Sequence, residues 1–243
     1  MPDNHYENSR LADVYDLDSP WSIDRDFYLS LAGDTKIKIL DLGCGTGLLC
    51  NAYANQNHDV TGIDPSIAML NVARTKPHGK DIEWIQSSAQ TFHSDKLFDL
   101  IIMTGHAFQV LLNDDDILAT FASMRKHLDS GGLIVFESRN PAINWAAQWN
   151  YEMVLETPEC VVHESRRFIA MENDRMTFEL LYQFPDETLI SESELRFLSR
   201  NDIEQRLTAC GLYADKIFGD WDGTSFNEKR SPEMIFLARA NDL

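Results

Sequence analysis

The sequence has too little positive charge for a protein that binds nucleic acid. It holds 21 Lys and Arg against 39 Asp and Glu, which gives a formal net charge of −18 at pH 7. A surface of this sign repels phosphate backbones and anionic membrane surfaces. We therefore expect neither nucleic acid nor a membrane as a partner.

Cysteine pairs, long apolar runs and metal-ligand spacings are also missing. The four cysteines form no C-x-x-C pair, and the N-terminus lacks a signal-peptide profile, so we expect a cytoplasmic protein. No apolar run approaches the roughly 18 residues that span a bilayer. The seven histidines are dispersed without zinc-ligand spacing, so we expect no required metal.

A regular alternation of strands and helices is present between residues 36 and 137. This order predicts a parallel sheet with helices on both faces. The predicted strands are Lys36–Asp41, Asp59–Ile63, Asp81–Ile85, Leu97–Met103 and Leu133–Glu137. The predicted helices are Leu48–Asn55, Ser66–Arg74 and Asp114–His127. Gly131 and Gly132 are predicted to break the chain between the last helix and its strand.

After Asn140 the pattern changes to β-favouring runs separated by turn residues, which predicts an antiparallel meander. A helix at Ser199–Cys210 and strands at Tyr213–Phe218 and Glu233–Ala240 follow. The predicted fold class is α/β, a mostly parallel, doubly wound seven-stranded sheet with an antiparallel β insertion as a lid. The predicted division is an N-terminal helical cover (1–35), a core (36–140 and 199–243) and the inserted lid (141–198).

Three alternate glycines follow the first strand, at Gly43, Gly45 and Gly47. Glycine turns sharply and carries no Cβ, so this loop is predicted to touch a cofactor through its backbone. A dinucleotide fingerprint needs its third glycine at position 48, where this chain has Leu48. Asp64 stands 21 residues beyond Gly43, where a carboxylate can accept hydrogen bonds from ribose hydroxyls. A cap for the following helix is the alternative role for Asp64.

At this point the chain resembles the class I S-adenosyl-L-methionine-dependent methyltransferases. Five segments between residues 36 and 137 carry the resemblance in order and spacing. They are Asp41–Gly47, Gly62–Ser66, Ser88–Phe92, Phe98–Thr104 and Gly131–Phe136.

The resemblance implies S-adenosyl-L-methionine as the cofactor and assigns roles to its contacts. Gly43 and Gly45 would pass along the methionine moiety, Ala89 and Gln90 would approach the adenine edge, and Thr104 would face the sulfonium. Packing is the alternative for Tyr15 and Met69, and exposure to solvent is the alternative for Gln90. The implied cofactor set is Tyr15, Asp41, Gly43, Cys44, Gly45, Gly47, Asp64, Pro65, Met69, Ala89, Gln90 and Thr104.

Methyl transfer from a sulfonium is an in-line displacement, so the protein aligns the groups, excludes water and, where needed, removes a proton. His106 follows the fourth strand and is the candidate general base, with a structural histidine as the alternative. Families that methylate nucleobase amines or glutamine amides often have Asn-Pro-Pro-Tyr at this place. Thr104 to Phe108 here reads Thr-Gly-His-Ala-Phe, which disfavours those substrates.

Residues after the fifth strand are the candidates for binding a small methyl acceptor. Arg139 and Asn140 are expected at the mouth of the site, with a loop salt bridge as the alternative. Trp149 and Tyr151 are expected to wall the acceptor or to pack in the core.

The leading hypothesis is a methyltransferase that acts on a small-molecule N or O acceptor, as a monomer or homodimer. A catalytically inactive S-adenosylmethionine-binding module is the first alternative. A nicotinamide-dependent oxidoreductase is the second, and it is disfavoured by Gly47 and Leu48.

Overall fold

The computed structural model describes residues 4–241. Its core is a seven-stranded sheet with the order β10-β11-β5-β4-β1-β2-β3. The strands are β1 (Lys38–Leu42), β2 (Asp59–Asp64), β3 (Glu83–Gln86), β4 (Phe98–Met103), β5 (Leu128–Arg139), β10 (Leu212–Phe218) and β11 (Glu233–Ala240). β1 to β5 pair in parallel, whereas β11 is antiparallel to β5 and β10 is antiparallel to β11. The predicted α/β fold class with a mostly parallel seven-stranded sheet is confirmed.

Seven helices are described around the two sheets. They are α1 (Asn4–Glu7), α2 (Ser9–Asp18), α3 (Ile23–Ser30), α4 (Leu48–Asn55), α5 (Ile67–Thr75), α6 (Asp114–His127) and α7 (Arg200–Ala209). Among the described residues, none of these helices is long and apolar enough to cross a membrane.

Helix α6 shows why the local sequence was informative. The side chain of Asn113 caps its first turn by accepting a hydrogen bond from the Asp116 backbone N–H at 2.9 Å. Three acidic residues lie in the first turn and three basic residues in the last, which complements the helix dipole at both ends. Ile117 and Phe121 are buried on the face that packs on the sheet. Its bounds are those predicted.

The predicted break at Gly131 and Gly132 is wrong, because both glycines lie inside β5. Phe98 pairs with Leu128 and Leu100 pairs with Leu133, so the chain bulges between these two pairs. Gly131 has φ +76°, a conformation that suits a bulge. The same residue type marks a chain break and a bulge, and the sequence pattern alone does not separate them.

The second sheet is antiparallel and lies in the chain between β5 and α7, as predicted for the insertion. Its strands are β6 (Tyr151–Glu156), β7 (Val161–Glu172), β8 (Arg175–Gln183) and β9 (Thr188–Arg196). Its buried face forms one apolar cluster with Leu11 and Val14 of α2. The insertion and the N-terminal helices therefore share a core.

The N-terminal helices are also held against the parallel sheet by polar contacts. The Ser66 hydroxyl, at the start of α5, donates to the backbone carbonyl of Tyr6 at 2.6 Å. The carboxylate of Asp16 accepts hydrogen bonds from the Thr46 hydroxyl and from the Lys76 ammonium group. These bonds fix α1 and α2 over the carboxyl ends of the strands.

Candidate cofactor and acceptor site

A cavity of about 300 Å³ lies at the carboxyl ends of β1, β2 and β4. Its volume is at the lower end of ligand-binding pockets. Eleven of the predicted cofactor residues line it: Tyr15, Asp41, Gly43, Cys44, Gly45, Asp64, Pro65, Met69, Ala89, Gln90 and Thr104. Residues from segments far apart in the chain therefore line the same cavity.

The glycine loop after β1 is bonded to the end of β2. The backbone N–H groups of Gly43 and Cys44 both donate to the carbonyl of Ile63, at 2.8 and 3.0 Å. The N–H of Gly45 donates to Oδ2 of Asp64 at 2.8 Å. The three glycines of this loop adopt the left-handed backbone conformation, with φ between +54° and +76°. This conformation lets the chain turn sharply after β1 and contact the end of β2.

Gly47 does not line the cavity, in contrast to its predicted role as a cofactor contact. It caps α4 in the left-handed conformation. A Cβ at this position would lie 2.5 Å from the indole of Trp84 and 3.0 Å from the Ala73 side chain. The residue is glycine because Trp84 packs directly on its backbone.

Asp64 is buried, with 7% of its surface exposed. Its Oδ1 accepts from the Ser66 N–H and its Oδ2 from the Gly45 N–H, both at 2.8 Å. Burial raises the pKa of Asp64 to about 6, and the two backbone hydrogen bonds oppose that rise. The group is therefore ionised at neutral pH, and its remaining lone pairs can accept from a ligand. The cap of α5 is Ser66, whose hydroxyl accepts from the Met69 N–H.

Asp41 is 1% exposed and has one carboxyl oxygen without a partner among the described residues. Its other oxygen, Oδ2, accepts from the Cys50 thiol at 3.3 Å. Burial raises the pKa of Asp41 to about 7. An orphaned buried oxygen in a pocket wall is a site where a donor from a ligand fits.

The cavity has further lining residues that sequence reasoning missed. Tyr6 comes from α1 and Arg25 from α3, and Val110 and Leu111 come from the segment after β4. Thr46, Leu48, Leu49, Ser88, Met103, Gly105, Ala107 and Asp116 complete the wall. Thr46 and Gly105 directly follow the predicted residues Gly45 and Thr104, so the same motifs at the strand ends could have identified them. No local pattern indicates Tyr6 or Arg25, because helix packing brings them to the cavity.

His106 has the left-handed backbone conformation, at φ 60°, just before a short 3-10 helix (Ala107–Val110). It does not line the cavity, although Gly105 and Ala107 do. Its Nε2 lies 3.0 Å from Oε2 of Glu233 on β11. Burial, followed by the positive charge of Arg139, lowers the pKa of His106 to about 3, so the imidazole is neutral at pH 7.

Two buried carboxyl groups surround His106, and sequence reasoning identified neither. Glu137 accepts from the His106 backbone N–H at 2.5 Å and from the Tyr28 hydroxyl. Burial raises the pKa of Glu137, and it raises the pKa of Glu233 to about 7. When Glu233 is ionised, its bond fixes the proton of His106 on Nε2 and leaves Nδ1 as an acceptor.

None of the four residues predicted to bind the acceptor lines the cavity. Asn140 braces a loop, because its amide donates to the carbonyls of Ser231 and Glu228 at 2.8 and 2.9 Å. Trp149 is 2% exposed. The hydroxyl of Tyr151 donates to Glu164 and lies 3.2 Å from Oδ1 of Asp18.

Arg139 does not form, among the described residues, the loop salt bridge that was the alternative to its predicted contact with the acceptor. Its Nη1 donates to Oε1 of Gln109 at 3.1 Å. Its guanidinium also lies 5.6 Å from the ring centroid of Trp145 and 5.0 Å from that of Trp149. Within residues 4–241, no group of three or more His, Cys, Asp or Glu side chains is arranged to hold a metal ion.

The chain is similar in sequence to methyltransferases. Residues 39–132 match the family model described as a methyltransferase domain. A ubiquinone biosynthesis O-methyltransferase of Rickettsia conorii is 30% identical over 108 residues, which are 44% of this chain and 36% of that protein. The chain spans less than half the length of the first curated relatives it matches.

Solved structures extend the similarity over nearly the whole chain. An S-adenosylmethionine-dependent methyltransferase from Clostridium acetobutylicum has a TM-score of 0.79 at 19% identity and covers 96% of this chain and 98% of that chain. The sugar N-methyltransferase KedS8 from Streptoalloteichus has a TM-score of 0.75 at 17% identity, with 92% of each chain covered. At these identities the comparison establishes a shared fold.

Proposed function

The chain carries a methyltransferase domain on the fold of the class I S-adenosylmethionine-dependent methyltransferases, and we propose that it transfers a methyl group to a small molecule. One observation carries this proposal. Two residues of the glycine loop line a single cavity with four residues from other strand ends, at the carboxyl ends of the parallel strands; they are Gly43, Gly45, Asp64, Ala89, Gln90 and Thr104. The cavity supports the proposed methyl transfer and the proposed small-molecule acceptor.

The residues of the cavity fit S-adenosyl-L-methionine as the cofactor. Asp64 offers spare lone pairs beside an exposed glycine backbone, which suits a ribose diol. The partnerless oxygen of Asp41 suits the amino group of the methionine moiety. Buried Met69 adds an apolar surface for adenine. When bound, the cofactor supplies an electrophilic methyl group and leaves as a neutral thioether.

The chain's own residues then align the acceptor, exclude water and hold a proton. α1 and α2 cover the cavity through Tyr6 and Tyr15. His106 is the proposed general base together with Glu233, because the Glu233 carboxyl group, with a pKa of about 7, gives the hydrogen-bonded pair the basicity that the imidazole alone, with a pKa of about 3, lacks. We infer that the free Nδ1 of His106 accepts the proton of an acceptor that reaches past Gly105.

The acceptor class is a small-molecule amine or hydroxyl group. Relatives with this fold or domain include a sugar N-methyltransferase and a ubiquinone biosynthesis O-methyltransferase. The inserted sheet shares its core with α2. This arrangement favours a compact acceptor enclosed under a lid.

Binding calorimetry tests the cofactor assignment. We expect S-adenosylmethionine and S-adenosylhomocysteine to bind and NAD not to bind. Asp64→Asn should weaken S-adenosylmethionine binding by about 1–3 kcal/mol, because a charged acceptor is lost. Asp59→Asn is the matched control, since Asp59 lies at the other end of β2 and pairs with Lys96. NAD binding without binding of either sulfur nucleoside would overturn the assignment.

Turnover tests the methyltransferase activity and the role of His106. Release of S-adenosylhomocysteine is measured with a panel of small amines and phenols. We expect His106→Gln to lower kcat by about 10²- to 10⁴-fold while cofactor affinity stays unchanged. Near-normal kcat would make His106 a packing residue. Cofactor binding without turnover of any acceptor in a broad panel would favour the inactive binding module.

A further inference from the structure

Two partly buried arginines, Arg139 and Arg166, have no acidic partner among the described residues. Arg139 donates to the amide oxygen of Gln109 at 3.1 Å, and Arg166 donates to the backbone carbonyl of Trp149 at 3.2 Å. In the described part of the chain, no carboxylate oxygen lies within 4.0 Å of either guanidinium. Arg196, by contrast, pairs with two carboxylates at 2.7 Å each. In a chain with a net charge of −18, two partly buried cations without ion pairs require an explanation.

Both guanidinium groups pack on the same indole. They lie 5.0 Å (Arg139) and 4.4 Å (Arg166) from the ring centroid of Trp149. Arg166 also lies 4.3 Å from the centroid of Tyr151. Ring contacts orient a guanidinium and leave its N–H edge able to form the paired hydrogen bonds that carboxylate and phosphate accept.

The indole of Trp149 contributes a third donor to this cluster. Trp149 is 2% exposed, and its Nε1 has no hydrogen-bond partner among the described residues. A buried N–H without an acceptor costs free energy, and a bound ligand is one of the few explanations for it. An oxygen atom of a ligand would satisfy this N–H.

Arg139 is linked to the cavity wall through Gln109, which lies on the 3-10 helix whose Ala107 and Val110 line the cavity. The positive charges of Arg139 and Arg166 are both among the causes that lower the pKa of His106, the proposed base. A group bound by these arginines would therefore be part of the acceptor.

Two of the nearby acidic groups have other hydrogen-bond partners. Glu233 is the carboxylate with the strongest influence on Arg139, but its Oε2 is bonded to Nε2 of His106 at 3.0 Å. Glu164 accepts the hydrogen bond of the Tyr151 hydroxyl. Burial lowers the pKa of Arg139 to about 10, so this side chain still carries its charge at neutral pH.

We propose that the methyl acceptor carries a carboxylate or phosphate group, and that Arg139, Arg166 and the indole N–H of Trp149 bind it. The proposal rests on the proposed methyltransferase function where it identifies the bound ligand as the methyl acceptor. Binding of an anion at this site can be tested without turnover. The proposal names the substrate class as acidic small molecules.

Matched probes test the anion site. Benzoate is compared with benzamide, and phenyl phosphate with phenol, by calorimetry on the protein saturated with S-adenosylhomocysteine and on the protein alone. We expect at least one anion to bind about tenfold tighter than its neutral partner. Arg139→Gln and Arg166→Gln should each remove most of this preference, and the Lys variants should retain part of it. Tighter binding of benzoate indicates a carboxylate acceptor, and tighter binding of phenyl phosphate indicates a phosphorylated one.

Arg167→Gln is the matched control, because Arg167 is the next residue of β7 and pairs with Glu179 on the exposed side. Equal affinities for anions and neutral probes would overturn the proposal, and so would unchanged anion affinity in both Gln variants. If a Gln variant does not fold, the Lys variant and the salt dependence of anion binding decide. Anion affinity that stays the same when NaCl is raised from ~20 to ~300 mM would then contradict binding by the arginines. Failure of S-adenosylhomocysteine to bind would overturn the cofactor assignment instead, with anion binding to the protein alone still measured.

Discussion

At the scale of single residues, burial controls the ionisation of Asp41. We predict that Asp41→Asn stabilises the cofactor-free protein by about 1–3 kcal/mol at pH ~8 and by less at pH ~5. Burial raises the folded-state pKa from 3.8 to about 7, so the folded state retains a proton that the unfolded chain releases. Wild-type stability therefore falls as the pH rises from about 4 to about 7, and this loss is absent in the variant.

Urea unfolding at both pH values checks the prediction for Asp41. Asp95→Asn is the control, because Asp95 is exposed and should show no difference between the two pH values. A variant that is less stable than wild type at pH ~8 would contradict the buried-charge explanation.

Gly47 serves packing as well as backbone conformation. We predict that Gly47→Ala destabilises the protein by about 2–4 kcal/mol, because a Cβ would meet Trp84 at 2.5 Å in a left-handed conformation. Gly33→Ala isolates the backbone contribution, since Gly33 has φ +62° and no atom within 4 Å of an added Cβ. We expect it to cost about 1 kcal/mol in urea unfolding. Similar losses in both variants would rule out the clash with Trp84.

The sequence placed Gly47 in a special turn and predicted a cofactor contact for it, but it gave no sign that Trp84 is its neighbour. Chain spacing shows that three glycines share one loop, and conformational freedom follows from that alone. It does not show that Trp84, 37 positions later, fills the space beside one of them. The same limit applies to Asn140, whose carbonyl partners lie some 90 residues away.

At the scale of secondary structure, helix α2 is anchored over the cavity by one carboxylate. We predict that Asp16→Ala weakens S-adenosylmethionine binding about three- to tenfold, because Thr46 of the cavity wall and Lys76 both lose their bond to α2. Tyr15 then loses its fixed position over the glycine loop. Asp13→Ala is the control on the same helix, as Asp13 is exposed. Equal calorimetric affinities for the two variants would show that α2 is held by its apolar face alone.

The elements themselves were readable wherever apolar periodicity and end signals agreed. Helices α4 and α6 and strand β11 have the predicted bounds. β5 begins earlier than predicted because its bulge resembles a turn in the sequence. β3 is displaced by two residues at its start, since Asp81 and Ile82 belong to the preceding turn.

For the whole molecule, the excess of acidic groups predicts a response to salt. Raising NaCl from ~20 to ~300 mM should raise the thermal midpoint by roughly 2–6 °C, because screening relieves self-repulsion at a net charge of −18. The rise should be smaller at pH ~5.5, because burial raises the pKa of Asp64 to about 6 and the pKa values of Asp41 and Glu233 to about 7, so these groups hold protons there and the negative charge is smaller. A midpoint that falls with salt would mean that ion pairs outweigh the repulsion.

Local sequence was sufficient to predict the strand and helix order, the glycine loop and the polar residues at strand ends. These follow from local periodicity and from the rule that parallel strands end on one edge of the sheet. Three contacts could be seen only in the folded chain. Gly47 packs against Trp84, Glu233 is bonded to His106, and Arg139 and Arg166 contact the same indole. The physical reason is that such contacts join residues from separate elements, whose approach depends on how the core packs and not on any local pattern.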